Sequence, residues 1–218
     1  MGRRISTNRK ISKDRVRKIR EPKNKILISV EGNNKTEKLY FSNFDNGKKD
    51  YSISFAKGNY TDPFHLVKIL ISEIKRIGMD LNNGDKAYCV FDTDMDYQKN
   101  DIIKMAKELA TKNNIQIISS TPSIELWFLL HFEYTTSNMT NKDVITRLKE
   151  YYPKYDKNVN IFPDINSNVD EAIDRAKKLE EYQLNNGKVI GFVESNPSTE
   201  IYKLVEELKE NKKDSVES

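Results

Sequence analysis

Apolar residues fall in short blocks along this chain, and the period of the blocks alternates. Ile26-Leu27-Ile28-Ser29-Val30 is a β-branched run of strand length, cut by Glu31-Gly32-Asn33-Asn34. From Thr36 to Phe44 the spacing turns helical, with Leu39, Tyr40 and Phe44 on one face, and Asp45-Asn46-Gly47 signals a turn. Tyr51-Ser52-Ile53-Ser54-Phe55 alternates apolar with polar, as a half-exposed strand does. Asp62 is a good N-cap with Pro63 at the first helical position; Leu66, Val67, Leu70, Ile74 and Ile77 then keep helical spacing until Gly78. Residues 86–91 read as a central strand, Ile102, Ile103, Ala106, Leu109 and Ala110 as a helix, and Ile115-Gln116-Ile117-Ile118 as a fourth strand. The order β-α-β-α-β-α-β predicts an α/β fold: a largely parallel four-stranded sheet with helices on both faces.

After the fourth strand the pattern is helical. Pro122 to Phe132 is an unusually apolar helix, and 141–151 is another. Residues 152–168, rich in Pro, Asn, Asp and Tyr, read as a long loop, and such loops are often functional. Val169, Ala172, Ile173, Ala176 and Leu179 mark an amphipathic helix; Asn196-Pro197-Ser198-Thr199 opens a last one, with Ile201, Leu204, Val205 and Leu208 inward. The expected organisation is a basic arm over 1–25, an α/β core over 26–135 and a helical C-terminal extension over 136–218 packed on that core.

A chain of 218 residues suits one large domain, or one with a smaller appended unit. No run approaches the roughly 18 apolar residues of a membrane span, and no apolar stretch near the N-terminus suits a secretory signal. Cys89 is alone, so no internal disulfide forms; a reducing cytoplasm is the expected home, and a packed core thiol the expected role. The net charge of +4 is unevenly placed: residues 1–25 carry 11 Lys/Arg against Asp14 and Glu21, whereas the remainder is mildly acidic. Arg15, Arg17, Lys18 and Arg20 in this arm are candidates for neutralising phosphates; a solvated leader is the bland alternative.

The chemistry concentrates where two strands end. Glu31 follows the first strand, and Asp92-Thr93-Asp94-Met95-Asp96 follows the third. In a parallel sheet ligands gather beyond the carboxyl ends of the strands. If those strands are neighbours, the acids meet there, and like-charge repulsion makes that costly without a cation between them. Oxygen-only ligands favour Mg²⁺ or Mn²⁺. A calcium loop is excluded, because its glycine and glutamate positions fall on Tyr97 and Ile103. An aspartyl phosphatase would carry its Asp-x-Asp on the first strand rather than the third. A capping acidic loop stays open. Gly32 to Thr36 lacks the spacing of a P-loop; Thr36 and Glu37 either cap the helix, or Lys35 reaches a phosphate at its N-terminus. Glu125, just after the fourth strand, lies near the same edge or simply favours its helix dipole. His131 is an acid/base candidate, though a lone histidine is more often structural.

Val30-Glu31-Gly32, Thr36-Glu37, Tyr40-Phe41 and Val90-Phe91-Asp92-Thr93-Asp94 together resemble a Toprim domain. With Pro122 through Phe132 and Asn196-Pro197-Ser198-Thr199 the chain resembles the RloB-like family from about residue 20 to 210. That resemblance implies a Mg²⁺-dependent phosphodiester hydrolase of bacterial defence loci, often encoded beside an ATPase or restriction or CRISPR genes. It implies Glu31 as general acid/base or metal ligand, Asp92 and Asp94 as metal ligands, and Glu37 and Glu125 as further acids. Thr121 and Ile124 depart from the family pattern without removing a carboxylate. The expectation is a cytoplasmic, antiphage endonuclease cutting RNA, transfer RNA in particular, with the 152–168 aromatics (Tyr151, Tyr152, Tyr155 and Phe162) guiding a single strand or packing on the protein. DNA cleavage, a small-phosphate hydrolase and a non-catalytic subunit of an ATPase complex remain as alternatives, and a homodimer is open.

Overall fold

A computed structural model describes residues 23–32, 35–45, 47 and 49–210. Its strands are β1 (Asn24–Ser29), β2 (Tyr51–Phe55), β3 (Lys86–Asp92), β4 (Gln116–Thr121) and β5 (Ser198–Thr199). They form a single sheet in the order β2-β1-β3-β4-β5, parallel except for β5. The first and third strands are therefore neighbours, Ser29 pairing with Cys89. The helices are α1 (Lys35–Ser42), α2 (Pro63–Ile77), α3 (Asn100–Lys112), α4 (Glu125–Leu129), α5 (Asn141–Tyr151), α6 (Phe162–Ile165), α7 (Val169–Asn185) and α8 (Ile201–Glu210). Among the described residues no helix is long and apolar enough to cross a membrane.

Both faces of the sheet are covered, which explains the near-continuous apolar runs of β1 and β3. Alternation sends Leu27, Ala87, Cys89 and Phe91 to one side, against Leu66, Val67 and Leu70 of α2 and Ile103 and Ala106 of α3. Asp62 caps α2 by accepting from the His65 N–H, and Gly78 closes it in the left-handed conformation. Cys89 is buried in this layer, where burial pushes its thiol up to about 12; it is a core residue, as its place in an apolar strand suggests.

Ile26, Ile28, Tyr88 and Val90 point the other way, into a larger core with α1, α4, α5, α7 and α8. Its centre is α4, whose Leu126, Trp127, Phe128 and Leu129 have no exposed surface. Tyr40 packs edge-on to Phe44, Trp127 and Phe162 there. Truncating a side chain so placed costs about 3–5 kcal/mol. This one cluster runs from Ile26 to Leu208, across residue 135, so the C-terminal helices share the core of the α/β unit. Lys49 Nζ and Tyr51 Oη add to the union by donating to the Leu208 carbonyl at the end of α8.

Three expectations change. The sheet has five strands rather than four: Ser198–Thr199 is β5, antiparallel to Ser120 and Thr121, and the last helix starts at Ile201. A two-residue polar strand has no apolar alternation to read; it forms because the edge of β4 offers it backbone groups. The apolar helix after β4 is only Glu125–Leu129, continuing as turns through Phe132. The 152–168 stretch contains α6 and a 3₁₀ turn at Asn166–Asn168, and its aromatics fill the protein rather than await a ligand. Tyr152 and Tyr155 are buried, Phe162 lies on Tyr40 and Phe44, and only Tyr151 is exposed.

Candidate functional site

Two strand ends and two helix starts deliver acids to one place. Glu31 lies two residues beyond Ser29 of β1, and Asp92 ends β3 beside Ser120 of β4. Glu37 is in the first turn of α1 and Glu125 opens α4; both are 2% exposed. Asp94 follows in a turn where it and Met95 adopt φ of 53° and 59°. That turn is held by the Thr93 and Asp94 N–H groups, which donate to the Ser120 and Pro122 carbonyls. Asp96 caps the next turn by accepting from the Gln98 N–H, which leaves it a local structural task.

The carboxylates feel one another. Burial, then the charges of Glu37, Glu125, Glu31 and Asp94, hold Asp92 well above the usual carboxylate range. Burial pushes Glu31 up to about 8; Lys99 opposes this, while Asp94, Glu37 and Asp62 add to it. The sheet pleat explains the two sets of neighbours. Asp92 has the parity of Tyr88 and Val90, so it faces the α1–α4 layer where Glu37 and Glu125 sit. Glu31 has the parity of Leu27 and Ser29 and leans toward the α2 layer, where Asp62 starts the helix. The cluster thus has two overlapping halves, one built on Asp92, Glu37 and Glu125 and one on Glu31 and Asp94.

Each half carries donors that local sequence pattern does not reveal. Lys99 Nζ donates to Asp94 Oδ2 at 2.7 Å and lies 3.8 Å from Glu31 Oε1; Asn141 Nδ2 donates to Asp94 Oδ1 at 2.8 Å. Burial disfavours the Lys99 ammonium, but the Asp94 hydrogen bond and the Glu31 and Asp94 charges outweigh it and keep its pKa above the ordinary lysine value. In the other half Ser123 Oγ donates to Glu125 Oε2 at 2.6 Å and Tyr155 Oη to Oε1 at 2.9 Å. Lys157 Nζ stands 3.9 Å from the same Oε1. The Tyr155 segment is strapped to α1: Thr36 Oγ1 donates to the Lys157 carbonyl, and the Asn43 and Asn160 side chains pair. Thr36 therefore serves this strap rather than capping α1. Burial and the Glu125, Glu37 and Asp92 charges all raise the Tyr155 phenol, so it stays protonated as a donor.

The donor chemistry suits a hard divalent cation: oxygen ligands only, close like charges, and Glu31 Oε1 buried without a hydrogen bond. The arrangement is not a finished cage. Among the described residues no group of three or more His, Cys, Asp or Glu side chains is set to hold a metal ion, and both Asp94 oxygens are already engaged.

Of the residues expected at the site, Glu31, Glu37, Asp92, Asp94 and Glu125 come together. His131 does not. It is 1% exposed in the core beneath α4, with Nδ1 against the Trp127 carbonyl at 2.9 Å and Arg175 as the charge acting on it. Burial pushes its pKa down to about 4, so it is neutral and structural. Lys35, the first residue of α1, is exposed. Arg15, Arg17, Lys18 and Arg20 lie outside the described residues. Lys99, Asn141, Ser123 and Tyr155 are additional. Tyr155 had a sequence signal as an aromatic in a long loop, and Ser123 as part of the Pro122–Phe132 stretch that carries the family resemblance. Nothing local sets Lys99 apart from the chain's other lysines.

Compared with known proteins, residues 26–208 match the family model described as RloB-like protein. No curated protein and no solved structure matches the chain.

Proposed function

The chain belongs to the RloB-like family, and we propose that it is a divalent-cation-dependent nuclease with a Toprim-type site, hydrolysing phosphodiester bonds in nucleic acid. The observation that carries this reading is the convergence of five carboxylates beyond the carboxyl ends of parallel strands, two of them held above their ordinary pKa by burial and mutual charge. Groups arranged so are unfavourable alone and become favourable around a cation. Glu31, Asp92 and Asp94 would hold Mg²⁺ or Mn²⁺, which when bound supplies Lewis-acid polarisation of a phosphoryl oxygen and an activated water. Should Asp92 and Asp94 hold the cation without it, Glu31 is the acid placed to move a proton beside them, the general acid/base role that the family resemblance implies. Glu125, 2% exposed, is held in orientation by Ser123 and Tyr155.

RNA, transfer RNA in particular, is the favoured polymer, and an effector role in antiphage defence alongside an ATPase or a restriction or CRISPR system is the favoured setting. Both rest on the family resemblance, with the basic N-terminal segment as the electrostatic support for a polyanionic partner. The test is incubation of the full chain with total RNA and with plasmid DNA, in Mg²⁺, Mn²⁺ or EDTA. Cation-dependent cutting of RNA that EDTA stops supports the reading. Cutting of plasmid alone transfers the activity to DNA. Binding without cutting in any cation, by wild type and Asp92→Asn alike, favours the non-catalytic subunit instead.

A further inference from the structure

We propose that Lys99 is the site's resident counter-ion: its ammonium holds the Glu31–Asp94 half of the cluster in the state a divalent cation would otherwise stabilise, and it must swing out for the cation to bind. This rests on the cation-dependent reading above. Lys99 ends the 3₁₀ turn Tyr97–Lys99 that follows the acid loop, and the turn folds its side chain back over that loop. Nζ meets Asp94 Oδ2 at 2.7 Å and stands 3.8 Å from Glu31 Oε1, the oxygen that accepts no hydrogen bond. The Lys99 side chain is 18% exposed, so these carboxylates rather than bulk water solvate it.

A Mg²⁺ ion takes oxygens at about 2.0–2.1 Å in near-octahedral geometry. An ammonium seated on one of those oxygens repels the ion and occupies its ligand, so the two cannot share Asp94 as it stands. The exchange asks little of the backbone. The acid loop is fixed independently by the Thr93 and Asp94 N–H bonds and by the Asp96 cap, while lysine carries a long flexible stem. Asn141 is neutral and need not leave Asp94.

The competing role for Lys99 is a salt bridge that pins the loop, and the two roles predict opposite signs. The experiment is calorimetric titration of the full chain, freed of metal with EDTA and desalted, with Mn²⁺ alone. Wild type, Lys99→Gln, Lys99→Arg and Asp92→Asn are compared. Expected is a Kd for Lys99→Gln lower than wild type by roughly ten-fold, within the usual range of coupling between sites, with Lys99→Arg close to wild type. The melting temperature of Lys99→Gln should be lower than wild type in EDTA, with the gap closing at saturating Mn²⁺. If wild type binds Mn²⁺ and Lys99→Gln binds equally or more weakly, Lys99 is a structural pin and the inference fails while the cation-dependent reading stands. If Lys99→Arg tightens as much as Lys99→Gln, shape rather than charge is at work and the inference also fails. If no variant binds Mn²⁺ at all, both readings fall.

Discussion

Two polar regions flank the carboxyl end of β4, and they are built on opposite terms. Where β5 joins β4, Ser120 and Thr199 share a hydroxyl–hydroxyl bond of 2.8 Å, Ser195 bonds Ser198 at 2.8 Å, and Asn196 bonds both the N–H and the carbonyl of Met139. These groups are neutral and satisfied, as buried polar groups in a stable protein normally are. The neighbouring cluster of Glu31, Glu37, Asp92, Asp94 and Glu125 crowds acids together, and the pKa values of Glu31 and Asp92 are raised accordingly. The serine–threonine corner holds the sheet edge together, whereas the acids disfavour one another's ionisation. Perturbed acids of this kind are what the proposed function draws on.

The largest test of that contrast is Asp92→Asn. On the proposed function it should lower nucleic-acid cutting on the order of 10³-fold, yet leave unfolding in urea with EDTA at least as costly as in wild type, because an acid that burial and its neighbours' charges disfavour is gone. Equal loss of stability and cutting would place the cluster in the same class as the corner. The converse is Thr199→Val, which strands the Ser120 hydroxyl and the Ile201 N–H. It should cost about 2 kcal/mol in urea unfolding and leave the cutting rate of the folded protein unchanged.

A smaller effect joins the regions that the strap connects. Tyr155→Phe removes one of the hydroxyls that orient Glu125, and cutting should fall roughly ten-fold with the fold intact by circular dichroism. The smallest is a trend with pH. Glu31 has a folded pKa of about 8 against an ordinary 4.5, so the folded state binds more protons than the unfolded one between those values. Stability in EDTA should therefore decline as pH rises across that window. His131, lowered to about 4 from 6.5, acts only below 6.5, where its buried neutral form makes stability fall as pH drops. The range from 6.5 to 8 thus isolates the acids. Glu31→Gln should flatten the decline there, and a decline of wild-type size in that variant would remove Glu31 as its source.

Much of the acid cluster is legible in the sequence. Strand-length apolar runs ending in Glu31 and in Asp92-Thr93-Asp94 announce a sheet edge with acids on it, and the α2 boundaries follow from Asp62, Pro63 and Gly78. What stayed open or was misread shares a cause. Whether Tyr155 stacks on a ligand or packs on the protein stays open in the sequence because aromatics in a polar loop carry no period; Thr36 and Asn43 bind that loop down. His131 looks reactive because a sequence does not show that its ring is sealed beside Trp127. Ser198–Thr199 looks like a helix start because a two-residue strand is defined by its partner alone.

The sequence by itself determined the alternation of strands and helices, the parallel sheet and the acids at the strand ends, because hydrophobic periodicity and capping act over a few residues and are written locally. The tertiary structure decided which of those acids share a field, that the pleat divides them into two halves, and that Lys99, Asn141 and Tyr155 hold them. The Asn141 and Tyr155 pairings span tens of residues along the chain and the Lys99–Asp94 pairing only five; they depend on strand order, register and the direction in which a loop folds back, none of which leaves a local pattern.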